Sequence, residues 1–445
     1  MHIIDTVTHS GEGIVEGFGT SGFRSHWRTS RAILVVESMD QPKISRTEWA
    51  ELQVEELLSV PFVSEFVFRS PKHNDPDEKE VIDHLVIHGD RCILLSQKAQ
   101  EEPDKRTLER NELWVLKNIQ NALKPIRGVI RNPDDRPKWC EHPRRGRVEF
   151  DSIPLIVHGI ALAETWRPVD LSSSAADLPL EYMGIALTYL SINDFLNLAV
   201  QLRTVPELLE YLSARRTLPE TSLRRMGDEW TLFEFYLLNG CNFAGCTGHD
   251  DARQKLQANP DAVTEALERN SEHRFYSGLL EYVADCLAVR DPDYAQGLSK
   301  YLLALFDPDG ERKNYILLQE ILVDLRLRER AELGRAFHSV TDRVSKQREG
   351  LSFQASYIDG KDRVFLFVAA RNRSKTQISE AIHTLAGAAI AHFRKGSCLV
   401  IVDRDGEHYD LALTRPDYQP TADDEGAGRK YFGHLRIRSV DVSRL

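Results

Sequence analysis

The chain has 445 residues, a formal net charge of -11, 42% hydrophobic and 28% charged residues, and six cysteines. That length exceeds what one hydrophobic core usually serves, so two or three domains are expected, with the composition of an ordinary soluble globular protein. The acidic balance excludes a broad basic face that would hold nucleic acid by charge alone; the lack of any apolar run near about 18 residues excludes a spanning helix; and so few cysteines exclude a disulfide framework and fit a reducing cytoplasm.

The opening MHIIDTVTHSGEG lacks a basic region followed by an apolar stretch, so no signal peptide is expected. Residues 1–44 are Gly-rich, but GEGIVEGFGTSGF has no Gly-Lys-Ser/Thr ending and no Rossmann spacing in a strand–helix unit, so it reads as a loop or small sheet. A helix is predicted over Thr47 to Leu58, capped by Ser45 or Thr47, with Trp49, Leu52 and Glu56 along one side. PFVSEFVFRS (Pro61 to Ser70) reads as a strand and PKHNDPDEK as a polar loop. EVIDHLVIHGDRCILLSQKAQ (Glu80 to Gln100) follows, two apolar runs around a tight turn. The spacing of Leu108, Val115, Ile119 and Leu123 predicts a helix near Thr107 to Lys124, which Pro125 should end or kink. SIPLIVHGIALAETW and MGIALTYLS read as strands, and a capped helix from Asn193 and VPELLEYLSARR as helices, so the alternation predicts one mixed α/β domain to about residue 220.

From about 225 to 345 the pattern is mainly helical, with Asn259 as a cap, Pro260 in a first turn, and a core stripe of Leu279, Leu280, Val283 and Leu287. The tail changes character. Ser352 to Arg371 reads as a hairpin, TQISEAIHTLAGAAIAHF as a helix, and SCLVIVDRDGEHYDLAL as a second hairpin turning at Asp405-Gly406. The small residues Ala386 to Ala391 let that helix lie close on a sheet. QPTADDEGAGRK (Gln419 to Lys430) reads as a mobile loop.

The central hairpin carries charge that a core strand would not want. With Gly89-Asp90 as a two-residue type II′ turn, His88 pairs with Arg91, Ile87 with Cys92, Leu85 with Leu94, and Asp83 with Ser96. Alternation then sets Asp83, Leu85, Ile87, Cys92, Leu94, Ser96 and Lys98 on one face, with Lys98 diagonal to Asp83. A semi-buried salt bridge closing the sheet accounts for this pair. So does a hydrolytic site, in which an aspartate holds a divalent cation and a lysine stabilises developing negative charge. Upstream, Glu51 and Glu55 share one helix face.

The order of these pieces is specific: a helix with Ala-Glu, an apolar strand, Ile-Asp-His-Leu-Val-Ile, a tight turn, an apolar strand ending in lysine, and another helix. It resembles the PD-(D/E)XK nuclease superfamily, and Ile82 to Ile87 is especially similar to the nuclease-related (NERD) domain, over about residues 45–130. The resemblance implies a restriction-endonuclease-like α/β fold, a mixed sheet core with flanking helices, followed by a helical region and a small α+β C-terminal domain. The boundaries are a Gly-rich segment at 1–44, the nuclease-like domain at 45–222, the helical middle at 223–345 and the C-terminal domain at 346–445. It implies Asp83 as metal-binding aspartate, Lys98 as catalytic lysine, Glu51 as the supporting metal ligand with Glu55 second, and Mg²⁺ or Mn²⁺ as cofactor. The departure is Ser96, where the family pattern has Glu or Gln. Three explanations stand: the acid has moved to another element, the site is weakly active, or it has become a binding scaffold. Gln97 should point to the opposite face; Gln100 compensates only if the strand extends that far.

Two basic stretches are the candidate nucleic-acid contacts, KWCEHPRRGR with Arg144 and Arg145, and RNRSK with Arg371, Arg373 and Lys375. CNFAGCTGH lacks a second ligand pair for zinc, and no Gly-x-Ser-x-Gly elbow exists. Two functions are therefore carried forward. One is a metal-dependent cytoplasmic nuclease acting on DNA in preference to RNA, with Asp83, Glu51, Lys98 and Ser96 in its site. The other is an inactive nuclease-fold scaffold that binds a protein or nucleic-acid partner through the helical middle or C-terminal domain, or pairs with its own copy.

Overall fold

The computed structural model describes residues 2–3, 66–73, 80–99, 107–142, 146–165, 167–174, 177–289, 319–404, 406, 408–414, 418–433 and 438–439. The predicted Thr47–Leu58 helix, the start of the Pro61–Ser70 strand and most of the Gly-rich segment lie outside the described residues. The chain divides into two compact units, one of Ser45–Ala288 with Tyr315–Ala331, the other of Met1–Ile44, Val289–Asn314 and Glu332–Leu445.

Strand β1 (His2–Ile3) belongs to the second unit. The first is built on β2 (Val67–Arg69), β3 (His84–His88), β4 (Arg91–Lys98), α1 (Leu108–Arg131), β5 (Trp139–His142), β6 (Gly146–Glu149), β7 (Leu155–Ala163), β8 (Val169–Asp170), β9 (Glu181–Tyr182) and β10 (Ile185–Ser191). Its main sheet has the order β2-β3-β4-β7-β10-β9. β2, β3 and β4 form an antiparallel meander, and β4, β7 and β10 run parallel. The parallel strands are buried on both faces, which their near-continuous apolar sequences require.

α1 packs on one face, through Val115, Ile119, Ala122 and Ile126 against Leu85, Cys92 and Leu94. Gly159 permits the close approach, since a Cβ there would stand 2.8 Å from Ile126 Cγ2 and 2.9 Å from Leu187 Cδ2. Pro125 does not end this helix. Ile126, Val129 and Ile130 continue the buried stripe beyond it, and their burial outweighs the lost backbone hydrogen bond.

Helices α2 (Ile192–Leu202) and α3 (Val205–Arg215) follow, each started by a hydroxyl cap, Ser191 and Thr204. The short α4 (Glu220–Leu223) leads to β11 (Arg225–Met226), which pairs with β8. α5 (Glu229–Leu238), α6 (His249–Ala258) and α7 (Pro260–Val289) complete the stretch, and through residue 288 they belong to the same unit as the sheet. Two buried ion pairs hold α3, one to α5 and one to the helix that begins at Leu327. Arg215 Nε lies 2.6 Å from Glu229 Oε1, which also accepts the Tyr211 hydroxyl, and Arg330 Nη2 lies 2.9 Å from Glu207 Oε1.

The second unit holds the end of α8 (Leu327–Ser345), β12 (Gly350–Tyr357), β13 (Arg363–Arg371), α9 (Lys375–Phe393), β14 (Ser397–Arg404), β15 (His408–Leu413), α10 (Ala422–Phe432) and β16 (Arg438–Ser439). The sheet order is β15-β14-β13-β12-β1-β16, with β13 and β14 parallel and α9 between them. Both expected hairpins are present. The mobile loop expected at Gln419 to Lys430 is instead helix α10. Thr421 and Asp424 form a reciprocal capping box that nucleates it, and Phe432 is fully buried. Gly428 lets it approach α9, where a Cβ would lie 3.0 Å from the Ala388 carbonyl oxygen. The described cysteines are free thiols, and no described helix is long and apolar enough to cross a membrane.

Candidate active site at the open end of the β3–β4 hairpin

The hairpin has the register that its turn predicts. His88 pairs with Arg91, Ile87 with Cys92, Leu85 with Leu94 and His84 with Leu95. Gly89 takes φ +58° while Asp90 is not among the positive-φ residues, which is the type II′ pattern. The far end is where the polar groups meet. Asp83 sits in a bend just before β3, and its Oδ2 accepts the Ser96 hydroxyl at 2.8 Å and the Gln97 backbone N–H at 2.6 Å. Lys98 Nζ lies 3.8 Å from the same oxygen, with side-chain exposures of 38% for the lysine and 23% for the aspartate. All three contacts use Oδ2; among the described residues Oδ1 accepts no hydrogen bond.

Asp83, Ser96 and Lys98 thus share one face and one end of the sheet, at the carboxyl ends of the parallel strands. Glu164 N–H reaches the Lys98 carbonyl across that edge at 3.1 Å. On the same side, buried Asn111 of α1 donates to Thr165 Oγ1 at 3.2 Å, and its own Oδ1 has no partner among the described residues. The opposite face carries His84 and Gln97. Both are buried, and among the described residues neither ring nitrogen of His84 nor either amide atom of Gln97 finds a partner. Burial pushes the His84 pKa down to about 4, against the pull of the Asp83 charge and with a smaller push from Arg69.

Glu51, Glu55, Gln100, Arg144 and Arg145 lie outside the described residues. Of the tail's basic cluster, Arg371 donates from Nη1 to the Ser345 carbonyl at the end of α8. Arg373 pairs with Glu349 at 3.2 Å, and Lys375 is the exposed first residue of α9. The first two therefore serve the joint between α8 and β12. Among the described residues no group of three His, Cys, Asp or Glu side chains is arranged to hold a metal ion. Asp83 is the one carboxylate in the cluster, Ser96 adds a hydroxyl already turned toward it, and Glu164, by alternation from Ala163, falls on the Gln97 face. One carboxylate is the lower limit of what a Mg²⁺ ion takes from a protein, so these residues alone make half a cation site.

Side-chain patterning does not reveal the Gln97 backbone donor, because main-chain N–H groups leave no trace in composition. The Asn111–Thr165 pair joins two positions 54 apart in the chain, and only the α1-to-β7 crossover brings them together. No family model matches the chain, and neither a curated protein nor a solved structure does.

Proposed function

We propose that the chain is a metal-dependent nuclease-type protein of PD-(D/E)XK architecture that hydrolyses phosphodiester bonds, in DNA before RNA. The observation that carries this reading is the convergence of Asp83, Ser96 and Lys98 at one end of one sheet face. The succession of strand, strand, tight turn, strand, helix and parallel strand from β2 to β7 supports a restriction-endonuclease-like core. Asp83, through Oδ1, and Glu51 would hold Mg²⁺ or Mn²⁺, and the reading needs Glu51 because the described residues offer too few oxygen donors. The ion supplies polarisation of a phosphate oxygen and an acidified water. Ser96 and the Gln97 N–H fix the Asp83 carboxylate in one orientation, and Lys98 offers a cation to charge developing on the phosphate.

Ser96 favours a second reading. In the family's acid position it provides a hydroxyl that donates to Asp83, and with Lys98 it closes the carboxylate into a self-satisfied cluster. That is the arrangement of a scaffold that binds a protein or nucleic-acid partner, or a second copy, without cutting.

Plasmid, linear and single-stranded substrates incubated with Mg²⁺, Mn²⁺ or EDTA separate the two, alongside metal titration by calorimetry. Cleavage should require the ion, and Asp83→Ala and Lys98→Ala should each lower the rate roughly 10²- to 10³-fold. Ser96→Glu should bind metal more tightly and cut at least as fast. Undiminished cleavage by Lys98→Ala rules this site out, while no cleavage and no heat of metal binding selects the scaffold.

A further inference from the structure

Helix α1 and the Asp83 cluster share one face of the sheet. Val115, Ile119 and Ala122 pack on Leu85, Cys92 and Leu94, and alternation from Leu94 sets Ser96 and Lys98 on that face as well. Asn111 stands one turn before Val115 in the buried stripe of the helix and is itself fully buried. It therefore faces the sheet, near the carboxyl end of β4. Lys98 pairs with Ala163 of β7, and Asn111 Nδ2 donates at 3.2 Å to the hydroxyl of Thr165, two residues further along. On the other side of β4, Asp83 is bonded to the Ser96 hydroxyl. Asp83, Lys98 and Thr165 thus lie on one diagonal across three strands, with Lys98 in the middle.

The neighbour of Asn111 sets the orientation of its amide. The Thr165 hydroxyl gives its own proton to the Arg167 carbonyl at 2.7 Å, so toward Asn111 it can only accept. The amide nitrogen is thereby held on Thr165. The carbonyl oxygen Oδ1 is turned away from it, buried and without a donor among the described residues, which is a costly state for an amide. Lys98 has the complementary deficit. Its ammonium carries three donors, and its 3.8 Å contact with Asp83 Oδ2 is longer than a hydrogen bond. That oxygen already accepts the Ser96 hydroxyl and the Gln97 N–H. The Cα atoms of Lys98 and Thr165 are roughly 8 Å apart, one strand spacing across and two residues along. The four-carbon stem of a lysine spans such a gap.

We propose that Asn111 Oδ1 is a second seat for the Lys98 ammonium, taken when Asp83 engages a divalent cation, an inference that rests on the hydrolytic reading above. With Asp83 as its counter-ion the lysine stays beside the carboxylate, where 38% of its side chain is exposed. The Asn111 carbonyl is buried, so an ammonium moved onto it leaves water and gains nothing while Asp83 keeps its charge. Once Asp83 is neutralised by a cation, the ammonium is repelled from that end of the diagonal, and Asn111 accepts it at the other. Lys98 then no longer competes for Asp83 and keeps two N–H donors for a phosphate oxygen. Asn111 is a positioning residue, acting on the ion and the phosphate only through Lys98.

Calorimetric titration of the full-length protein with Mn²⁺ tests this without turnover, in the parent, Asn111→Leu, Lys98→Met and the double variant. Asn111→Leu is close in shape and lacks the acceptor. The ammonium then stays on Asp83, and Mn²⁺ affinity should fall about tenfold, a coupling of the size that residues in contact show. With Lys98→Met in place the same substitution should change nothing, since there is no ammonium to seat. Thr165→Val, which releases the amide from its fixed orientation, should lower the affinity in the same direction and serves if Asn111→Leu does not fold. In ¹³C-lysine-labelled protein the Cε resonance of Lys98, identified by its loss in Lys98→Met, should move on addition of Mg²⁺ and move less in Asn111→Leu. Equal Mn²⁺ affinity in the parent and Asn111→Leu overturns the second seat. So does an equal loss in both lysine backgrounds, which would assign Asn111 to packing or to a bound water. Failure of the hydrolytic reading looks different: the parent itself then gives no heat of binding with Mn²⁺, and the seat falls with it.

Discussion

Asp83 and His84 are adjacent in sequence and opposite in situation. Asp83 keeps its carboxylate at the end of the hairpin with donors on one oxygen, whereas His84 turns into the other face with 2% exposure and, among the described residues, no partner for either ring nitrogen. Its pKa of about 4, against an ordinary 6.5, follows from burial first. The folded state therefore binds that proton less readily than the unfolded chain. The contribution is complete above pH 6.5 and is lost as pH falls from there toward 4, on the order of 3 kcal/mol in all. His158, whose pKa is about 3, and His249, at about 4, are lowered mainly by burial and act in the same direction. Denaturant titrations should show stability declining through this window, and His84→Leu should raise the melting temperature and flatten the decline, because it removes an unsatisfied buried group. A steeper acid decline in that variant would contradict the assignment. Gly159→Ala should cost about 1–3 kcal/mol, since the new methyl overlaps Ile126 and Leu187.

At the scale of elements, the hairpin was legible because two signals agreed: period-two alternation and a Gly-Asp pair whose geometry allows one register. α9 was legible through its run of small apolar residues. α1 was read only in part, and α10 was read as a loop. Pro125 is a local veto that tertiary packing overrides, so Pro125→Ala should stabilise the protein, by up to about 3 kcal/mol if the helix otherwise keeps its course. A lower melting temperature for that variant would mean that the proline shapes α1. QPTADDEGAGRK looks like a loop because Gly, Asp and Glu dominate it, yet Thr421 and Asp424 have capping-box spacing and Gly428 is what a helix needs to lie against another. The candidate site followed the hairpin: Asp83, Ser96 and Lys98 came together through register alone. Asn111 and the Gln97 N–H did not, since neither belongs to the local pattern.

For the whole molecule, each unit has its own sheet and its own buried helices, so calorimetry of the intact chain should resolve two transitions. Arg215→Met leaves Glu229 without its cation in a fully buried position, which should cost about 3–5 kcal/mol and lower one transition only. Gly428→Val, pressing on the Ala388 carbonyl, should lower the other. A single transition moved by both variants would show that the units unfold as one.

The 2.6 Å contact between the Gln97 N–H and Asp83 Oδ2 also makes that amide a reporter. A proton held this close to a carboxylate resonates far downfield and exchanges slowly with solvent. Its chemical shift tracks the electron density on Asp83, so any ion drawn to Oδ1 would pull charge from Oδ2 and move the peak upfield. One ¹H–¹⁵N correlation spectrum per titration point would then read occupancy at the candidate site directly, with no substrate and no turnover.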